Sequence, residues 1–155
     1  MEHALPRLVS GAPLTWGDGP EAVEQTCGPL EDAPLAECRR KLVVGGATRW
    51  RSNLDIPRPR MIKLAFHRRR GFFEAMVYSD ASPSELSQAV EARLGAPHRT
   101  HGSRRFWEYP RRGPRARLKV SGLGRHDARG RSAIKLYWID VAQQYEQELD
   151  AMGCR

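Results

Sequence analysis

The clearest pattern of apolar and polar positions lies in residues 80–97. Leu86, Ala89, Val90 and Leu94 recur at helical spacing and put one apolar stripe along one face. Both ends are marked. Ser82 can accept a hydrogen bond from a free N–H of the first turn, and Glu85 stands at capping-box distance from it. Pro83 takes the first helical position, where its missing N–H costs nothing. Gly95 permits the left-handed turn that ends a helix, and Pro97 blocks continuation. The pattern predicts a helix over 82–94. A shorter one is predicted over 18–28, with Pro20 at its first position, Asp18 or Gly19 as cap and Gly28 as stop. Val23 and Cys27 are one turn apart and face inward.

Elsewhere the period is two. Lys41–Val44 reads as a short strand before Gly45 and Gly46, and Trp50–Ile56 as a weaker one, before Pro57 and Pro59 break the chain. Met61–His67 puts Ile62, Leu64 and Phe66 on one face and His67 outward. Arg68-Arg69-Arg70-Gly71 is a turn to a partner strand, with Phe73, Ala75 and Val77 on one face and Phe72, Met76 and Tyr78 on the other. Past the long helix, residues 98–104 read as loop. Residues 105–109, 117–123 and 133–139 read as strands, with Leu118, Val120, Leu136 and Trp138 inward. Asp140 is the expected cap of a last helix carrying Val141, Tyr145, Leu149 and Met152 on one stripe, stopped by Gly153.

The expected fold is α+β: an antiparallel sheet with helices packed on one face, in two similar helix-plus-three-strand halves. A flexible leader over 1–15 precedes a first half over 16–79 and a second over 80–153. The order of elements repeats, and Ile62-Lys63-Leu64 is echoed by Ile134-Lys135-Leu136. That repetition reads either as internal duplication or as one domain with an accidental rhyme.

The form Ser82-Pro83-x-Glu85-Leu86 with Leu94-Gly95-x-Pro97, followed by antiparallel strands, resembles bacterial modules with the fold of the β-lactamase inhibitory protein. The small outer-membrane assembly lipoproteins look similar. Pro20, Glu21, Val23, Gly28 and Pro29 form a degraded first copy of the motif. The resemblance implies a helical segment packed on an antiparallel sheet, tandem copies, and a non-catalytic module whose sheet or loops bind another protein. Those families are exported. The lipid-attachment cysteine of the lipoproteins is not found.

Charge changes the picture more than composition does. The net charge of +8 divides into −6 over residues 1–38, +17 over 39–135 and −3 over 136–155. A basic middle of that size attracts polyanions, although acidic ends can also neutralise it within one fold. No apolar run approaches a membrane span. The N-terminal residues show no basic region followed by an apolar stretch, so the cytoplasm is the expectation as written, or the periplasm if a leader has been removed. The three cysteines are expected to be reduced thiols, with a Cys27–Cys38 bridge as the alternative in an oxidising compartment.

Candidate chemistry is sparse. His98 and His101 have a ligand-like spacing but no nearby acid or cysteine to complete a metal site, so they read as solvated loop residues. No phosphate loop, nucleophile elbow or cofactor motif is readable, so neither an enzyme nor a cofactor is expected. Cys27 reads as a buried core thiol. The one arguable site is basic and aromatic. Arg68, Arg69, Arg70, Arg104, Arg105, Arg111, Arg112 and Arg115 are candidates for polyanion binding, with Phe72, Trp107 and Tyr109 as candidates for stacking or partner contact. If the two hairpin tips share an edge, they form a continuous positive rim. The expectation is a small non-enzymatic module engaging a protein partner through its sheet face or loops. The alternative is a nucleic-acid-binding protein using the arginine-rich turns.

Overall fold

The computed structural model describes residues 14–33, 35–48, 55–109, 114–124 and 130–154, without the side chains of Thr26 and Tyr109. The first half holds α1 (Pro20–Cys27), β1 (Glu31–Asp32), α2 (Glu37–Arg40), β2 (Val43–Thr48), β3 (Pro59–His67) and β4 (Gly71–Ser79). The second holds α3 (Pro83–Leu94), β5 (Arg99–His101), β6 (Arg104–Tyr109), β7 (Ala116–Gly122), β8 (Ser132–Trp138) and α4 (Ile139–Ala151). All eight strands form one antiparallel sheet in the order β1-β2-β3-β4-β8-β7-β6-β5.

The α+β expectation holds, and each half is a helix followed by a meander. Each meander has a fourth, short strand at the sheet edge, β1 or β5, too brief to carry a period-two signal. Each half opens on a helix and contributes four strands, but α2 interrupts the first run and α4 follows the second, and the echoed phrase falls at different places. Ile62-Lys63-Leu64 lies in the third strand of its half, and Ile134-Lys135-Leu136 in the fourth.

α3 carries the full set of predicted caps. Glu85 N–H donates to Ser82 Oγ at 3.2 Å, and Ser82 N–H donates to Glu85 Oε1 at 3.3 Å. Leu86 and Val90 of α3 and Val23 and Cys27 of α1 enter one core with Leu64, Phe66, Val77, Leu118, Ile134 and Leu136. Both helices therefore cover the same sheet face. α4 differs, because it packs on the opposite face. Val141 and Tyr145 meet Val43, Ala65 and Phe73 there, with Leu35 and Leu42 alongside. The cap of α4 also differs: Trp138 is the N-cap residue and Asp140 lies in the first turn.

Four further expectations are corrected. A β-bulge inverts the start of β4: Phe66 pairs with Phe72 while Ala65 pairs with Glu74, so Phe73 is the extra residue. Phe72 thereby joins Ala75 and Val77 in the main core, and Phe73 turns to the α4 side. Second, β2 runs through Gly45 and Gly46 rather than stopping before them. The β1 segment Leu30–Ala33 pairs alongside so closely that a Cβ on Gly45 would meet the Ala33 carbonyl at 3.0 Å, and one on Gly46 the Leu30 side chain at 3.0 Å. The strand expected over Trp50–Ile56 falls mostly outside the described residues, and Asp55 and Ile56 are not in a strand. Third, within the expected leader, Leu14 is buried in the main core. Next to it, Gly17 N–H donates to the Phe72 carbonyl and Phe72 N–H to the Asp18 carbonyl, which stacks Trp16 on Phe72 at 5.0 Å. Fourth, Cys38 is bonded to Cys154, with Cα atoms 6.0 Å apart, and Cys27 is the free, buried thiol. Burial pushes the Cys27 thiol up.

Two outcomes follow from this packing. Gly71 has φ +82°, and a Cβ there would lie 2.1 Å from the Gly17 carbonyl oxygen. Gly71→Ala is expected to cost more than about 1 kcal/mol in urea denaturation. The Cys38–Cys154 bond closes a span of 116 residues. Cys154→Ser is expected to lower stability by about 2–5 kcal/mol, measured the same way under oxidising conditions.

Candidate binding face

Gly71, Ala116 and Tyr109 lie at one end of the sheet, so the two hairpins share that end, and the described arginines there make contacts within the chain. Arg68–Arg70 join β3 to β4 at one end of the sheet, and Arg115 enters β7 at that same end. Arg104 and Arg105 begin β6, at the other end, because alternate strands run in opposite directions. Arg111 and Arg112 lie outside the described residues.

At the first end the arginines hold α4. Asp140, Gln144 and Glu148 stand four residues apart, so they form one polar stripe beside the buried one. Arg115 Nη2 donates to Asp140 at 3.0 Å, Arg70 Nη1 to Gln144 at 2.6 Å and Arg69 Nη2 to Glu148 at 2.6 Å. Arg70 also lies 5.2 Å over the Trp138 ring. Arg68 Nε donates to the Arg40 carbonyl at 2.8 Å. At the far end, Arg104 is exposed and Arg105 donates to the Gly102 carbonyl at 2.8 Å.

Two of the three aromatic candidates are core residues. Phe72 is 0% exposed and Trp107 is 1% exposed, so neither can stack on a base or touch a partner. Trp107 Nε1–H instead donates to the Gly95 carbonyl at the end of α3, at 2.9 Å. The Tyr109 backbone pairs with Ala116 in the sheet. The histidines have structural roles. His98 Nδ1 accepts the Glu108 N–H at 2.8 Å, covering an edge donor of β6, and His101 is exposed in β5. His67 does point away from Phe66, but that face is under α4, so it is 2% exposed. Its Nδ1 accepts the Arg69 N–H, which leaves Nε2 to donate to Glu148 Oε1 at 2.7 Å.

Among the described residues, no helix covers the part of the sheet face beyond α4 and α2. There the register aligns one row across six strands. Lys63 is opposite Met76, Met76 opposite Lys135, Lys135 opposite Lys119, Lys119 opposite Phe106, and Phe106 opposite Arg99. Three of the four lysines in a chain with 22 arginines stand in this row. The next row carries Glu74, Tyr137, Arg117 and Glu108, again as direct partners. Lys135 Nζ lies 3.3 Å from Glu74, and Arg117 Nε donates to Glu108 at 3.0 Å. Arg99 sits 4.5 Å over the Phe106 ring, and Lys135 5.0 Å over Tyr137. Lys119 makes no ion pair with a described residue. Burial first, then the Lys135 and Arg104 charges, hold its ammonium below the usual lysine range.

The signals for these residues were local and incomplete. Each lysine falls on the outward parity of its strand, but the alignment of three strands from two halves is a matter of register. Among the described residues no group of His, Cys, Asp and Glu is arranged to hold a metal, and no helix is long and apolar enough to cross a membrane. No family model, curated protein or solved structure matches the chain.

The α4 contacts carry a pH dependence. The Nε2–H of His67 holds the Glu148 carboxyl below its usual range. A carboxyl lowered in the folded state stabilises above its unfolded value of about 4.3, and that contribution is lost as the pH falls through the folded value. Glu148→Gln is therefore expected to be less stable than the parent at pH 6. The difference should close on acidification in a denaturation series from pH 6 to 2. A constant difference across that range would exclude the charge as its cause.

Proposed function

We propose that this chain is a non-enzymatic module that binds an acidic protein partner through the open face of its sheet. The observation that carries the reading is the cationic row of Lys63, Lys135, Lys119 and Arg99, with Met76 and Phe106 set among them. Lys135 and Lys119 stand side by side, an unfavourable pairing of like charges that an anionic partner relieves. Apolar contact area from Met76 and Tyr137 lies within the same face, as in the cores of protein interfaces. The resemblance to modules with the fold of the β-lactamase inhibitory protein points the same way. The Cys38–Cys154 bond supports placing the module in an oxidising compartment, as those exported families are.

The nucleic-acid alternative has less support. Phe72 and Trp107 are inside, Arg69, Arg70 and Arg115 are engaged by α4, and Glu74 and Glu108 interrupt the basic face. The test compares two probes across a salt series, immobilised polyglutamate and a labelled generic single-stranded DNA or RNA. Retention on polyglutamate is expected, weakened in Lys119→Gln with Lys135→Gln and unchanged in stability-matched Arg68→Ser. Tighter, steeply salt-dependent binding of the nucleic acid, lost with the turn arginines, would turn the conclusion to the alternative.

A further inference from the structure

The open face is not level. Ala33, Leu35 and Arg39 border it on one side and α4 on another. Between the first border and the sheet is a hollow of about 260 Å³, lined by Leu35, Arg39, Lys63, Met76 and Tyr78 with their neighbours. Between α4 and the sheet is a second, of about 620 Å³, lined by Arg117, Lys135, Tyr137, Tyr145 and Glu146 with theirs. Glu74 lines both, so the two hollows lie on either side of that residue, as the two lobes of a groove. Its floor sets Lys63, Lys135 and Arg117 around Glu74, with Met76 and Tyr137 between the charges. Cys38 belongs to α2, three residues after Leu35, and Cys154 lies just beyond α4. Their bond makes the two borders one covalent frame.

We infer that this groove takes an extended acidic segment of a protein partner, and that the Cys38–Cys154 bond keeps its borders in place for that segment. The inference rests on the open-face reading above and narrows it to one site and one kind of occupant. The floor runs across strands from β3 to β7, three spacings of about 4.8 Å each, which an extended chain spans with about four or five residues. Lys63 and Lys135 stand two of those spacings apart, within side-chain reach of carboxylates on one face of such a segment, and Lys119 lies next in the row. A nucleic-acid strand fits less well, because it carries a phosphate at every step and would meet Glu74 and Glu146 as well as the cations. A peptide can place neutral or basic residues against those carboxylates. A frame already closed by a disulfide also lowers the ordering cost of docking.

The experiment is an NMR titration of the oxidised, isotope-labelled chain with an eight-residue peptide of alternating Glu and Ser, both ends blocked. The Gln-Ser peptide and an eight-nucleotide single-stranded DNA are the comparators. Shifts at Lys63, Met76, Lys135 and Tyr137 are expected with the Glu peptide and not with the Gln peptide. Lys135→Gln should weaken binding roughly two- to fivefold, with Lys63→Gln as the second variant if the first does not fold. Reduction, or Cys154→Ser, should weaken it at least about threefold while the sheet resonances stay in place. Shifts confined to Arg99, Arg104 and Phe106 would overturn the groove and leave the open-face reading standing. No binding of the Glu peptide at low salt would overturn both. Tighter binding of the DNA at the groove residues would assign the groove to a polyphosphate instead. Unchanged affinity on reduction would remove the disulfide from the site.

Discussion

The pairing of β4 with β8 is the constraint on which the rest depends. It is the seam where the last strand of each half meets the other, from Glu74 opposite Tyr137 to Ser79 opposite Ser132. A strand repeats its facing every two residues, so a slip of one residue at this seam would turn Ile134 and Leu136 out of the core and Lys135 into it. The seam is pinned at one end by buried serines. Ser79 Oγ donates to the Pro57 carbonyl and accepts the Ala81 N–H, while Ser132 Oγ donates to the Ala81 carbonyl at 2.7 Å. Arg131 N–H donates to the Ser79 carbonyl at 2.8 Å. Fully bonded polar groups in a buried place tolerate no shift of register, since a shift would leave them unsatisfied.

From that seam both faces follow. On one, α1 and α3 close a continuous apolar core over both halves. On the other, the same register carries Lys63 and Met76 of the first half into line with Lys135 and Lys119 of the second. α4 then covers only the end of this face nearest the β3–β4 turn. It is held by three arginines on its polar stripe, by His67 through Glu148, and by the disulfide beyond its last turn. These contacts differ in kind. The exposed ion pairs are each worth about 1 kcal/mol or less, whereas the disulfide and the burial of Val141 and Leu149 hold under any salt. The basic charge of the middle of the chain is thus divided between two tasks: arginines at the turns fasten a helix, and lysines on the strands remain at the surface.

Much of the architecture was legible because its signals are local. The caps of α3, the Pro20 start of α1, the outward parity of Lys63, Lys119 and Lys135, and the three-strand run of each half are all set by residues within a few positions of one another. The misreadings share a different cause. Phe72 and Phe73 exchanged faces because one extra residue enters the ladder, which alternation cannot register. Gly45 and Gly46 looked like a strand end because glycine usually is one, but here they admit the close approach of the chain around β1. Phe72 and Trp107 looked like free rings among arginines because sequence neighbours said nothing of the Trp16 and Gly95 contacts that enclose them. Cys38 found Cys154 rather than Cys27 because proximity in sequence is not proximity in the fold.

By itself the sequence determined the fold class, the three longer helices, the caps of α3 and most strands, since all of these follow from short-range periodicity and backbone preference. Only the tertiary structure decided which strands are neighbours, in what register, and on which face α4 lies. Those are long-range pairings between segments that no local pattern links. The open face, its row of lysines and the covalent frame around it exist only once those pairings are made.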